Sequence, residues 1–411
     1  MAIVQPFKGV RPSRDKVALV SSKSYEAYTA AELEAKLDFN PYTFLHVINP
    51  GYKYHQEVSG VQRYQMVHNR YEEFKENLIF VHDSNPSFYI YESSDAHQTF
   101  CGIIAATSVE DYRKGLIKKH EGTLHQREVL FETYLKATGF NAEPVLLMHE
   151  DDLVFQAFID RIKKERPEYE FSTTDKKLHR LWIVQDVKKV AKITSFFKHT
   201  DALYIADGHH RSASSVLLAD DLSSENPDHQ GTEDYNFFMS YLIPESQLKI
   251  AEFNRLVKDL NGLSTEDFLI RLDPFFRIEN RGQNLYKPSK KHHFSMYLEG
   301  EFYSLYLRKN SYQFDDLLSK LDTEILYRTI LKPILGIKDL THNNRIGYTN
   351  NTMDMLSIKT NVDASNYKVG FGLVPITVEE MKGIADAELK MPPKTSYIEP
   401  KLRSGLIMYE F

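Results

Sequence analysis

The stretch Leu203-Tyr204-Ile205-Ala206-Asp207-Gly208-His209-His210-Arg211-Ser212-Ala213-Ser214 decides how this chain is read. Leu203 to Ala206 has the composition of a buried strand, Asp207-Gly208 supplies a sharp reversal, and His209 opens a helix that runs through Leu222. Strand end, turn and helix start thus gather one carboxylate, two imidazoles and a guanidinium. The first amides of a helix lack intrahelical partners and lie at the positive end of its dipole, so Gly208, His209, His210 and Arg211 together suit a phosphate or carboxylate ligand. A plain structural reading fits the same residues: an Asp-Gly turn, a capped helix and two solvated histidines.

Working outward, strands are expected at Phe44 to Ile48, closed by Asn49-Pro50-Gly51, and as a pair at Phe88 to Tyr91 and Cys101 to Thr107. Tyr64, Val67, Tyr71, Phe74 and Leu78 are spaced 3, 4, 3 and 4, which predicts one helical face packing on a sheet. Helices are predicted from His125 to Thr138 and Asp151 to Glu165, and strands at Pro144 to Met148, Leu181 to Val184 and Phe237 to Ile243. The polar segment Ser223 to Asn236 reads as a mobile loop beside the turn. Glu299-Gly300-Glu301, flanked by His293 to Leu298 and Phe302 to Leu307, is a hairpin signal. Mixed strands and helices make the fold class α+β, a mixed α/β protein.

The chain has 411 residues, more than one hydrophobic core usually serves. Three regions are expected: an α/β region over 1–244 carrying the main motifs, an α+β subdomain over 245–340, and a segment over 341–411 that returns to the site. A net charge of -6 gives no general attraction to nucleic acid or anionic lipid. The N-terminus lacks a basic segment followed by a long apolar core, and no apolar run approaches the roughly 20 residues of a membrane helix. A cytoplasmic protein with small-molecule partners, and room for homo-oligomers, is the expectation. Cys101, the single cysteine, excludes an internal disulfide and sits in a strand-like run as a core thiol.

No complete dinucleotide-binding or Walker A glycine pattern occurs, and no HExxH or cysteine-based zinc spacing is present. The pairs His209-His210 and His292-His293 are adjacent, so their side chains diverge. A second constellation is Lys118-Lys119-His120-Glu121-Gly122-Thr123. A carboxylate beside His and Lys suits a general base or a magnesium ligand if the fold brings it to the Asp207 turn. Thr123 as an N-cap beneath a solvated charged face reads the same spacing equally well. Lys394 and Lys401, set among prolines, either aim ammonium groups at a phosphate or belong to an extended tail.

Taken together, Phe7 to Pro12, Asn40-Pro41 to Pro50, Tyr89-Ile90-Tyr91, Asp111-Tyr112 with His120 to Thr123, Ala206 to Arg211 and Met391 to Leu406 resemble the domain-of-unknown-function 1015 family of prokaryotic proteins. The Asp207 to Arg211 turn is also similar to the phosphate-binding element of the ParB/sulfiredoxin-like superfamily, which includes nucleotide hydrolases, a sulfinic-acid reductase and kinases of free serine. That resemblance implies a nucleotide held by its phosphates at a strand-turn-helix element. Sulfiredoxin's catalytic cysteine corresponds to His209, which argues against reductase chemistry. The chain departs from the family pattern at Gly122, at Asn254-Arg255 and in the order Thr395-Ser396.

The leading expectation is a small-molecule kinase using ATP or ADP with Mg2+, free serine being one candidate acceptor. Asp207, Glu121 and His120 would do the proton and metal work, Asp207 and Glu121 being the metal ligands. Gly208, His209, His210, Arg211, Lys394 and Lys401 would hold the phosphates. A nucleotide or phosphoester hydrolase and a noncatalytic nucleotide or metabolite sensor remain as alternatives.

Overall fold

In the computed structural model, residues 2–251, 253–350 and 354–411 are described. They form a mixed α/β protein of two compact units. The first gathers 1–119, 123–248 and 400–411, and the second 120–122 and 249–399.

The first unit is built on a nine-stranded mixed sheet. Its order is Ile117–Lys118, Leu203–Asp207, Val145–His149, Phe237–Pro244, Thr99–Ser108, Phe88–Ser94, Leu178–Val184 and Tyr169–Ser172, with Val4–Gln5 added against Thr99–Ser108. The central strands read as near-continuous apolar runs because both faces are covered: Phe88, Tyr89, Ile90, Ala105, Ala106, Leu147 and Met148 are buried. Phe88–Ser94 and Thr99–Ser108 pair antiparallel, as their alternating flanks and polar connection predict. Cys101 lies in the core beneath this pair, and burial pushes its thiol up to about 12.

Three local expectations are corrected. Phe44 to Ile48 is not a strand; Leu45–Ile48 forms one helical turn, with Ile48 N bonded to Phe44 O at 3.2 Å and Asn49 N to Leu45 O at 2.8 Å. Phe44, Leu45 and Val47 are fully buried, and a short apolar run buried all round carries no period that separates helix from strand. The helix bearing Tyr64, Val67, Tyr71 and Phe74 spans Gly60–Glu76, so Leu78 falls outside it, at φ 55° and exposed. That helix packs chiefly on other helices and on the short strand Phe80–His82 rather than on the large sheet. Its apolar face is filled by Tyr134 edge-on to Tyr64 and by Phe140 stacked on Tyr71 at 4.1 Å.

The helix His209–Glu225 reaches into the segment expected to be loop. The remainder is tied by its own side chains: Asn226 donates to Tyr235 Oη at 3.0 Å, and Gln230 N to Glu233 at 2.6 Å. Lys136, on the His125–Thr138 helix, reaches Glu225 at 2.8 Å and so fastens two helices that lie side by side.

The second unit is organised by a six-stranded sheet in the order Phe276–Gly282, Glu301–Leu307, His293–Leu298, Val369–Gly372, Phe253–Val257 and Ile346–Asn350. The expected hairpin is present, with Glu299 at φ 48° and Gly300 at φ 85°, both left-handed as in a type I′ turn. Its core is a separate apolar cluster that includes Val257, Phe268, Phe294, Ile325 and Phe371. No described helix is long and apolar enough to cross a membrane.

Candidate functional site

The turn sits near one edge of the first unit's sheet. Leu203–Asp207 runs between Ile117–Lys118, to which it is parallel, and Val145–His149, to which it is antiparallel. The ladder shifts register between Ile205 and Asp207, so the strand ends on an irregularity that re-aims the last side chain. Gly208 follows at φ 101° and is itself the N-cap of His209–Glu225, with no capping side chain. A β-carbon there would meet Arg211 Nε at 2.9 Å, so the position needs glycine for both conformation and space.

Below the turn, the helix start is held by serines. Ser212 Oγ donates to His209 O at 3.0 Å, Ser214 Oγ to His210 O at 2.7 Å, and Ser215 Oγ to Arg211 O at 2.9 Å. All three side chains are buried and satisfied by the preceding turn. Rigid backbone therefore presents the residues from 208 to 211.

Charges converge on Asp207. Lys401 Nζ lies 2.9 Å from Asp207 Oδ2, and Arg211 Nη2 lies 3.6 Å from the same oxygen. Burial alone would raise this carboxyl, but the field of Arg211, then that of Lys401 with its hydrogen bond, outweighs it and holds the group below the usual carboxylate range. Asp207 is thus ionised and a weak base. Arg211 is fixed from both sides: Nη1 donates to Pro144 O at 2.8 Å and lies 3.6 Å from Glu143 Oε2. Glu143 in turn accepts from Ser404 Oγ at 2.6 Å. Lys401 and Ser404 belong to one segment, so a single piece of chain contributes to both ends of the network.

His209 is buried, whereas His210 is half-buried and accepts from Leu124 N through Nε2 at 3.2 Å. Burial lowers its proton affinity, and Arg127 adds to that against the opposing pull of Glu128. The ring is neutral near pH 7 and positions the chain entering the His125–Thr138 helix. Glu128 is held below its usual range although burial opposes this, because Thr123 and His125 bond to it.

In the second unit, His120 is fully buried, and its carbonyl accepts from Met391 N at 2.8 Å, which sets Glu121 beside Met391 in a parallel bridge. Lys394 has φ 58°, and its ammonium sits 5.5 Å from the centre of the Phe253 ring. Its carbonyl accepts from Arg255 Nη2 at 2.9 Å. Arg255 also donates to Phe253 O, stacks over Tyr348 and is 1% exposed. Burial pulls its guanidinium down to about 10, an unusual value for arginine.

The sequence profile of a family described as "Protein of unknown function (DUF1015)" matches residues 4–324. The chain belongs to the DUF1015 family. No curated protein matches it. Among solved structures it is similar to a conserved hypothetical protein from Pyrococcus furiosus, at 12% identity and TM-score 0.35 over 75% of this chain and 94% of that one. It is also similar to a mutant free serine kinase in complex with AMP, at 11% identity and TM-score 0.36 over 75% and 90% of the two chains. A third is SbnI with C-terminal truncation from Staphylococcus aureus, at 12% identity and TM-score 0.36 over 72% and 82%.

Within the first unit the fold brings Asp207, Gly208, His209, His210, Arg211 and Lys401 into one neighbourhood. His120, Glu121 and Lys394 lie in the second unit. Sequence reasoning missed Glu143, Pro144 and Ser404, which hold Arg211 in place. Nothing local marks them; only the pairing of Val145–His149 with Leu203–Asp207 puts Glu143 and Pro144 beside the turn.

Proposed function

We propose that the protein is a cytoplasmic small-molecule kinase that takes a phosphoryl group from ATP or ADP to a metabolite hydroxyl, free serine being one candidate. The observation that carries this reading is the glycine turn at 208, whose helix start is uncapped by any side chain and is flanked by two cations, Arg211 and Lys401. Phosphoryl transfer demands positioning and charge stabilisation more than strong bases. A carboxylate held below its usual range suits orienting a hydroxyl by accepting its hydrogen bond. Arg211, clamped by Pro144 O and Glu143, offers a preorganised donor to a phosphate oxygen.

Asp207 is a hard oxygen donor and fits magnesium, which commonly takes one or two carboxylates and completes its shell with water and phosphate. Magnesium bound with nucleotide would supply further neutralisation of phosphate charge. Because Lys401 already neutralises Asp207, that cation exchanges partners when phosphate arrives, moving from the carboxylate to the anion.

The test is nucleotide titration by calorimetry, followed by product analysis with labelled ATP or ADP, magnesium and a panel of hydroxyl metabolites. A phosphorylated metabolite supports the kinase, whereas phosphate release without any acceptor replaces it with a hydrolase. Nucleotide binding without turnover would leave a sensor, and absence of binding defeats the reading.

A further inference from the structure

Within the first unit lies a cavity of about 170 Å³ with a largely polar lining. It is formed where the N-terminal segments around 18–43, the turn 172–175 and Arg403 meet. At about 30 Å³ per water, it has room on the order of five or six waters, below the 300 Å³ at which drug-sized and nucleotide-sized pockets begin.

Its charged groups are of both signs. Arg403 spends Nε on Ser21 Oγ and Nη2 on Ser21 O, each at 2.6 Å, which fixes the guanidinium; no described carboxylate forms an ion pair with it. Lys23 and Lys36 add a second and a third cation to the lining. Asp175 stands among them as an acid. Burial raises it, but the Thr173 hydroxyl, its own amide and the fields of Lys23 and Arg403 prevail and keep it ionised. Glu32 also lines the cavity, but it is committed to capping the helix that starts after Thr29.

The independent sign of a missing ligand is Ser22. Its side chain lines the cavity and is 2% exposed, and Oγ has no hydrogen-bond partner. Its backbone is engaged with Ser404 in both directions, at 3.1 and 2.9 Å, which holds the residue in place. Leaving such a group unpaired costs about 1–3 kcal/mol, which a polar ligand atom would recover.

We infer that this cavity binds a small zwitterion of the amino-acid type. The carboxylate is taken by Arg403 and Lys23, the ammonium by Asp175, and a polar atom of the ligand bonds Ser22 Oγ. A phosphate dianion suits it less, because Asp175 would repel it. A nucleotide exceeds its size.

The experiment is calorimetric titration of the full chain, without nucleotide, with each of the twenty common amino acids. Ethanolamine, which lacks the carboxylate, glycolate, which lacks the ammonium, and inorganic phosphate serve as comparisons. At least one amino acid is expected to bind, with ethanolamine and glycolate at least tenfold weaker. Asp175→Asn, an exposed change that leaves the fold intact, and Arg403→Lys should each weaken binding tenfold or more. The inference falls if no amino acid binds, if affinity survives both substitutions, or if glycolate or phosphate binds as tightly as any amino acid. Amino-acid binding that survives both cavity substitutions would point to the turn instead, so failure of this inference is distinguishable from failure of the kinase reading.

Discussion

Two carboxyls, one in each unit, show counter-charge and burial winning in turn. In the first, Asp207 is flanked by Lys401 and Arg211 and stays charged below the usual carboxylate range. In the second, Asp322 is 1% exposed; its hydrogen bond from His292 N at 2.8 Å does not offset burial, and it is pushed up to about 7. Arg255, in the same unit, is buried without a paired carboxylate among the described residues and is pulled down by burial. Under the proposed function, a carboxylate compensated by two cations exchanges partners with an incoming phosphate. One that titrates near neutrality reports pH.

The contrast can be broken most sharply at Arg211. Arg211→Ala should lower kcat/KM for nucleotide-dependent turnover by about 10²–10³ while costing only about 1 kcal/mol of stability, because one hydrogen bond to Pro144 O is lost. Steady-state kinetics and a melting curve decide this; full turnover in the variant would remove the turn from the chemistry.

The next largest effect is a pair of pH dependences with opposite signs. Asp322 binds its proton more tightly when folded, near 7, than when unfolded, near 3.8. Its contribution is full below 3.8 and is lost as pH rises through 7, roughly 4 kcal/mol in all. In the first unit, His179 is sandwiched against Tyr91 and Phe171, and burial, aided by Arg403, lowers it to about 4. That contribution is full above 6.5 and is lost as pH falls through 4, roughly 3 kcal/mol. Amide hydrogen exchange around 292–322 and around 171–179 would register the two slopes separately. Asp322→Asn should flatten the first and His179→Gln the second; parallel slopes would show that the units do not differ in this respect.

Gly208→Ala comes next, at about 1–3 kcal/mol, since it forces a side chain into φ 101° against the Arg211 guanidinium. Chemical denaturation measures the cost, and a neutral result would mean the turn relaxes freely. Smallest is Lys401→Met. Its side chain is 45% exposed, so stability should change by less than about 1 kcal/mol. The Asp207 carboxyl should nonetheless titrate higher, which carbon-detected NMR can follow.

How much of this was legible in the sequence depended on range. The turn was readable because strand, glycine and helix start are consecutive, and the hairpin at 299–300 because Gly300 favours the left-handed backbone of a type I′ connection. The helical turn at Leu45–Ile48 was not, since complete burial erases periodicity. The clamp on Arg211 was hidden for another reason: Pro144 and Glu143 precede it by 67 and 68 residues and carry no motif. Arg403 and Ser22, far apart in the chain, are brought together by the bridge between Ser22 and Ser404 and by the bonds from Arg403 to Ser21. Membership in the DUF1015 family followed from motifs spread along the chain, but no motif marked the polar cavity beside Arg403.

The pairing of Lys401 with Asp207 spans 194 residues. During synthesis the turn therefore leaves the ribosome long before the second of its two counter-charges is made. A partly translated chain lacks this cation, so under the proposed function phosphate capture at the turn waits until translation has passed residue 401.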